Sequence, residues 1–257
     1  MENKKNLVFK AVSCLDRGKK RESNQDNLFA EEGNSFFVVS DGVGSSLKGL
    51  ETSEMVVDKL PKAVAGKLAE GATIDDLPAI LLNEVVALSN YIFELNPNKK
   101  DLEYGATVVC ALVAGNKAIV AHLGDSRCYL VRNGKLEKKT NDHNMAGLLV
   151  KYGELTEDEA WGHPSCNNLL RFVGMKPRCE PEAAVIDILA GDMLILCSDG
   201  VHGMLKDKEI ESVIAKNNSF ETIAQDITNA SNEAGGKDNI SIIVIKFSEV
   251  GGEVKNG

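Results

Sequence analysis

Thr107-Val108-Val109-Cys110-Ala111-Leu112-Val113-Ala114-Gly115-Asn116-Lys117-Ala118-Ile119-Val120-Ala121-His122-Leu123 is the stretch that decides the fold. Two short runs rich in β-branched residues, Thr107–Ala114 and Ala118–Leu123, flank the turn signal Gly115-Asn116. A turn this tight joins antiparallel strands, because a parallel crossover needs a dozen residues or more. Val108 to Val113 is apolar at every position, so this strand expects cover on both faces. The same construction recurs around Asn133-Gly134, after Arg127–Arg132, and around Gly191-Asp192, between Ala184–Leu189 and Met193–Cys197. Ser35–Ser40 and Asn239–Phe247 add two more strands. Helical periodicity covers 50–68, 76–95, 144–151, 206–216 and 219–234. Two stacked, mainly antiparallel sheets with helices outside satisfy both patterns: an α+β, four-layer αββα sandwich.

The rest of the composition fits one soluble globular domain. The chain has 257 residues, 43% hydrophobic and 26% charged. It has no low-complexity tract and no Pro/Ser-rich linker, so we expect a single domain over 1–249 and a frayed tail over 250–257. Lys and Arg number 29 against 38 Asp and Glu, a formal net charge of -9. That sign argues against nucleic acid and acidic membranes as partners. The longest uncharged stretch, Tyr104 to Asn116, is shorter than the roughly 20 residues of a spanning helix. MENKKNLVFK lacks the apolar core of a signal peptide, so the expected location is cytoplasmic. The six cysteines form no C-x-x-C pair; Cys110, Cys128 and Cys197 lie in apolar runs and read as buried hydrophobes in a reducing compartment.

The chemistry lies in the carboxylates. Phe36 to Val43 and Leu194 to Val201 both run an apolar strand into Ser-Asp-Gly-Val, placing Asp41 and Asp199 at strand ends. The glycine after each lets the backbone turn, so that its carbonyl can also approach a ligand. A lone Asp-Gly is more often an ordinary turn, but its repetition behind two strands too apolar for surface hairpins points to a site. Asp26, in Arg21-Glu22-Ser23-Asn24-Gln25-Asp26, Asp125, in Gly124-Asp125-Ser126-Arg127, and Asp238, in Lys237-Asp238-Asn239, sit comparably. Converging aspartates need a cation to offset desolvation and repulsion. Oxygen donors without His or Cys select a hard ion, Mg²⁺ or Mn²⁺. A pair of such ions activates water against phosphorus.

These segments resemble the PPM (type 2C) metal-dependent Ser/Thr protein phosphatases. The matching pieces are Arg21-x-x-Asn24-Gln25-Asp26, Asp41-Gly42-x-Gly44, Gly105-Ala106-Thr107, Gly124-Asp125-Ser126-Arg127, Thr140-x-Asp142-His143, Ser198-Asp199-Gly200 and Asp238-Asn239, in the family's order across positions 21 to 239. The resemblance implies a bacterial-type, single-domain αββα phosphatase. Asp41 would bridge two ions, the Gly42 carbonyl would complete one shell, Asp199 and Asp238 would hold one ion, and Asp26 would serve the other directly or through water. Asp125 matches the position of a third, weaker ion. A water bridging the two Mn²⁺ or Mg²⁺ ions would attack the phosphoester, and Arg21 would grip the phosphate oxygens. Phosphorylated proteins would be substrates of a monomer that opposes a Ser/Thr kinase. A catalytically silent phosphoprotein-binding module and a two-metal nuclease are the competing readings. The first is opposed by the complete set of aspartates plus Arg21, the second by the net charge.

Two positions depart from the family. Val43 stands where a His often serves as general acid, so the leaving group's proton must come from ion-bound water or another side chain. Ser45 replaces a usual glycine. Blander readings hold elsewhere: His143 is read as a hydrogen-bonded scaffold residue and His163, in a variable flap around Glu154–Cys166, as a loop residue. Arg127 and Arg171 read as turn and scaffold anchors, and the run Arg17 to Lys20 as solvated charge. His122 and His202 receive no role.

Overall fold

A computed structural model describes residues 7–31, 33, 35–44, 47–96, 103–175 and 179–250. The hairpin that decides the fold is present: β4 (Val108–Ala114) pairs antiparallel with β5 (Lys117–Leu123), Ala114 opposite Lys117 across Gly115-Asn116. With β2 (Asp26–Phe29), β3 (Phe36–Asp41) and β8 (Glu182–Asp187) they form a sheet in the order β2-β3-β4-β5-β8. The second sheet runs β1-β10-β9-β6-β7, from β1 (Leu7–Asp16), β10 (Ile240–Glu249), β9 (Met193–Cys197), β6 (Arg127–Arg132) and β7 (Lys135–Lys138). Every pairing between these strands is antiparallel.

Alternation along the strands builds four layers. Val108, Cys110 and Leu112 of β4 face the helices α1 (Leu47–Ala69) and α2 (Leu77–Leu95), packing with Val56, Leu60, Leu81 and Val85. Their neighbours Val109, Ala111 and Val113 point between the sheets, against Leu194, Leu196 and Ile243. On the far side Ile195, Cys197 and Val244 pack under α5 (Asp199–His202), α6 (Asp207–Lys216) and α7 (Ile223–Glu233). Burying each such aliphatic side chain contributes about 1.5–3 kcal/mol, so the central strands are held from both faces, as their unbroken apolar runs require. Two shorter helices, α3 (Met145–Lys151) and α4 (Glu157–Ala160), lie in the connection from β7 to β8.

One hairpin expectation is corrected. Gly191-Asp192 does not join a strand pair; it carries the chain from β8 in one sheet to β9 in the other. The buried Asp192 explains why: it accepts two bonds from Arg132, at 2.9 and 2.6 Å, and one from Leu189 N. A side chain so engaged anchors a crossing between layers. Asn133-Gly134 is a true hairpin turn, with φ of 53° and 73° and Arg132 opposite Lys135. Ser45 and residues 251–257 of the expected tail lie outside the described residues.

Candidate active site

Both sheets deliver carboxylates to one edge of the sandwich. Asp26 opens β2 and stands directly opposite Asp41, the last residue of β3. From the other sheet, Asp199 follows β9 as the first residue of α5, and Asp238 lies two residues before β10. Asp125 sits in the β5–β6 turn. Asp41, Asp125, Asp199 and Asp238 line a cleft of about 310 Å³ with Arg21, Gly42 and Val43. Asp26 lies beneath it, 2% exposed. The structure therefore brings every sequence-derived site residue to one place.

Each carboxylate is held differently. Asp26 Oδ2 accepts from Ser198 Oγ at 2.6 Å and from Ser241 Oγ at 2.7 Å. Asp41 is fixed through its backbone: its N–H donates to Thr107 Oγ1 at 3.1 Å and its carbonyl accepts from Thr107 N at 2.7 Å. Asn144 Nδ2 donates to Asp125 Oδ2 at 3.1 Å. Arg21 Nη2 donates to Asp238 Oδ2 at 2.6 Å, which holds the guanidinium above its ordinary pKa. The loop carrying Arg21 is tied down by the buried Asn239, whose Nδ2 donates to the Arg17 and Ser23 carbonyls and whose Oδ1 accepts from Gln25 N.

The electrostatics call for a cation. Burial, then the neighbouring aspartates, push Asp41 and Asp199 well above the ordinary carboxylate range. Burial lifts Asp26 to about 6 against the pull of its two serines, and burial and Asp142 lift Asp125 to about 6. Asp26 Oδ1 and Asp199 Oδ1 are buried with no hydrogen-bond partner. Unpartnered anionic oxygens in a cluster of like charge are costly unless a positive ion completes them. The all-oxygen donor set fits Mg²⁺ or Mn²⁺.

A tighter trio of ligating groups lies elsewhere: donor atoms of His122, His143 and Glu182 fall within 4.8 Å of one another. The hydrogen bonds argue against a metal there. His143 Nδ1 accepts from Gly124 N at 3.2 Å, which leaves the proton on Nε2, 3.4 Å from Glu182 Oε1. Glu182 is in turn engaged by Arg171 and Asn141. His143 stacks on His122, its side chain wholly buried, and burial depresses its pKa to about 3. Arg127 grips Asp142 through Nε and Nη2 at 2.9 and 2.6 Å. His163 Nδ1 accepts from Ser165 N within its own loop.

The comparisons with known proteins agree with this geometry. Residues 16–243 match the family model described as Protein phosphatase 2C. The chain belongs to the protein phosphatase 2C family. A serine/threonine phosphatase stp of Listeria welshimeri is 32% identical over 235 residues, 90% of this chain and 93% of the relative. The solved serine/threonine phosphatase of S. agalactiae superposes with a TM-score of 0.82 at 29% identity, covering 93% of this chain and 99% of that one. The catalytic domain of the serine/threonine protein phosphatase PstP, in complex with 2 manganese ions, gives a TM-score of 0.75 at 27% identity, covering 95% and 100%. For a protein phosphatase 2C member, the residues that sequence reasoning passed over are the supports: Ser198 and Ser241 under Asp26, and Asn144 beside Asp125. The signal that could have found Ser198 is the repeated Ser-Asp-Gly-Val motif; for Asn144 it is a capping residue at the start of a periodic run, and the structure shows its Oδ1 accepting from Gly147 N at the head of α3.

Proposed function

We propose that this protein phosphatase 2C chain hydrolyses phosphoserine and phosphothreonine monoesters on proteins, opposing a Ser/Thr kinase, as a cytoplasmic monomer with one catalytic domain over 1–249. The observation that carries the reading is the meeting of five aspartates from both sheets beside one arginine, with two of their oxygens buried and unpartnered. From one sheet, Asp41 would hold both Mn²⁺ or Mg²⁺ ions and the Gly42 carbonyl would complete the shell of one; from the other, Asp199 and Asp238 would hold one ion. Asp26 would support the second ion, and Asp125 a third, weaker one. When bound, the ions lower the pKa of water and neutralise charge at phosphorus.

The chain's own groups do the rest. A guanidinium has five N–H donors, so Arg21 can keep its bond to Asp238 and still turn donors toward phosphate oxygens. Ser198 and Ser241 keep Asp26 in its ionised form by donating to it. Val43 lines the cleft and has no proton to give a leaving alkoxide. His143 is buried away from the cleft with Nδ1 occupied, so it does not replace the missing acid. Aryl phosphates, whose leaving groups need little protonation, should therefore react faster than alkyl ones.

The test is hydrolysis of p-nitrophenyl phosphate and of a phosphothreonine peptide with Mn²⁺, Mg²⁺ or excess chelator, wild type beside Arg21→Ala. Metal-dependent turnover is expected. Arg21→Ala should raise KM about tenfold, the worth of one charge-assisted contact, with a smaller change in kcat. A folded protein that turns over neither substrate with either ion would return the silent binding module as the better reading.

A further inference from the structure

Residues 152–168, between α3 and the isolated bridge of Asn144 with Leu169, include the flap named from the sequence. Three features tie this segment and its two ends to the neighbourhood of the carboxylates. At its root, Asn144 caps α3 with Oδ1 and donates to Asp125 with Nδ2. At its end, Asn167 and Leu169 form a wall of the cleft. In its middle, Trp161 Nε1–H donates to the carbonyl oxygen of His202 at 2.9 Å, and Lys206 Nζ lies 4.9 Å from the centre of the indole ring.

His202 connects that contact to the site. It closes the short turn that begins at Asp199, where Gly203 N donates to the Asp199 carbonyl at 2.7 Å. Its Nε2 lies 3.0 Å from the Asp125 backbone carbonyl. A carbonyl only accepts, so Nε2 carries the proton and donates. Trp161 is thus two hydrogen bonds from Asp125, and one hydrogen bond plus a single helical turn from Asp199.

We propose that Trp161 is a positioning residue: its N–H latches the flap to the turn carrying Asp199, fixing the wall a phosphoprotein meets, and a divalent ion among the aspartates tightens the latch. Bare, Asp125 and Asp199 repel each other; cations held by these carboxylates relax that repulsion, and His202, bonded to the Asp125 carbonyl and closing the turn that begins at Asp199, is coupled to both. Linkage makes the effect reciprocal, so breaking the latch must weaken ion binding by the factor with which the ion strengthens the latch. The proposal rests on the phosphatase reading only for its substrate arm.

Trp161 is the chain's single tryptophan, so its emission reports the latch directly. Mg²⁺, titrated into the metal-free protein, should shift that emission saturably, with the midpoint that calorimetry gives for Mg²⁺ binding. His202→Ala should lose the shift and His202→Gln, which still offers an N–H toward Asp125, should regain it. Trp161→Phe keeps a ring and removes the donor. It should leave p-nitrophenyl phosphate turnover within about twofold, and raise both KM for a phosphothreonine peptide and the Mg²⁺ dissociation constant about fivefold, one hydrogen bond's worth. Emission indifferent to Mg²⁺ that calorimetry shows to be bound would overturn the latch. So would a Trp161→Phe that slows both substrates equally and leaves Mg²⁺ affinity unchanged. If neither substrate turns over, the functional reading fails alone, and emission and calorimetry still decide the latch.

Discussion

Ser40-Asp41-Gly42-Val43 and Ser198-Asp199-Gly200-Val201 share one sequence pattern and two different structures. The first ends β3 and continues extended, Gly42 bridging to Ala106. The second leaves β9 and turns at once into a helix. Ser40 stays within its own sheet, its Oγ donating to the Thr107 carbonyl at 2.7 Å. Ser198 reaches across to the other sheet's Asp26. Neither glycine has a positive φ, so backbone freedom is not what these positions need. A side chain at Gly42 would stand 2.5 Å from the Gly49 carbonyl, and one at Gly200 would stand 1.8 Å from the Asn239 carbonyl. What the two turns share is close approach of backbone to backbone beside an aspartate. The neighbours that approach decide everything else.

If the turns are two halves of one ion site, breaking either should be equally fatal. Asp41→Asn and Asp199→Asn should each cut metal-dependent turnover of p-nitrophenyl phosphate by about three orders of magnitude or more, the scale for losing a catalytic ion's chemistry. Both should also raise the melting temperature in chelator, because each removes a charge from a repelling cluster. Full activity in either variant would end the comparison.

The glycines should separate the halves by degree. Gly200→Ala meets a carbonyl far inside van der Waals contact and should cost about 3 kcal/mol or more in urea unfolding, while Gly42→Ala, less crowded, should cost less. A tolerated Gly200→Ala would mean that the turn after β9 shifts freely, which its bonds to Asp125 and Trp161 argue against.

These turns also show how much could be read in advance. Central strands announce themselves, because cover on two faces forces unbroken apolar runs such as Leu194 to Cys197. The strands missed, β1, β2 and β7, are all sheet edges. Lys135-Leu136-Glu137-Lys138 and Asp26-Asn27-Leu28-Phe29 have too few apolar residues to register, and none of β1 is fully buried. Positions of the aspartates were legible because carboxylates at the ends of apolar strands violate the local pattern. Their supports were not: Ser198 and Asp26 lie 172 residues apart, and no local rule pairs them.

Acid should sharpen the contrast between the aspartate edge and the histidine layer behind it. Asp26 and Asp125 are raised to about 6. In chelator their contribution to stability is therefore full below their ordinary pKa of about 4 and lost as pH rises through about 6. His143 and His202 are lowered to about 3, so they act in reverse: stability is present above their ordinary pKa of about 6.5 and lost as pH falls toward 3. Mg²⁺ favours the ionised aspartates and removes the first loss only. The melting-temperature gain from Mg²⁺ over chelator should be largest above about pH 7 and close below about pH 5. A gain that does not change across that range would place the ion away from these carboxylates.

The smallest expected difference tests the two serines, both wholly buried. Ser40→Ala removes one neutral bond to a backbone carbonyl and should cost about 1 kcal/mol. Ser198→Ala removes a donor from a buried carboxylate and an acceptor from Ser241 N, 3.0 Å away, and should cost about 2 kcal/mol. It should also lift Asp26 further, since the Ser198 bond is one of those that oppose burial there. Mg²⁺ must compete with that proton, so the apparent affinity of Ser198→Ala should fall at pH 7 and recover toward pH 8, while Ser40→Ala tracks the wild type. Equal costs and parallel affinity curves would show that Ser198, like Ser40, only holds its strand, and that Asp26 stays ionised without the Ser198 donor.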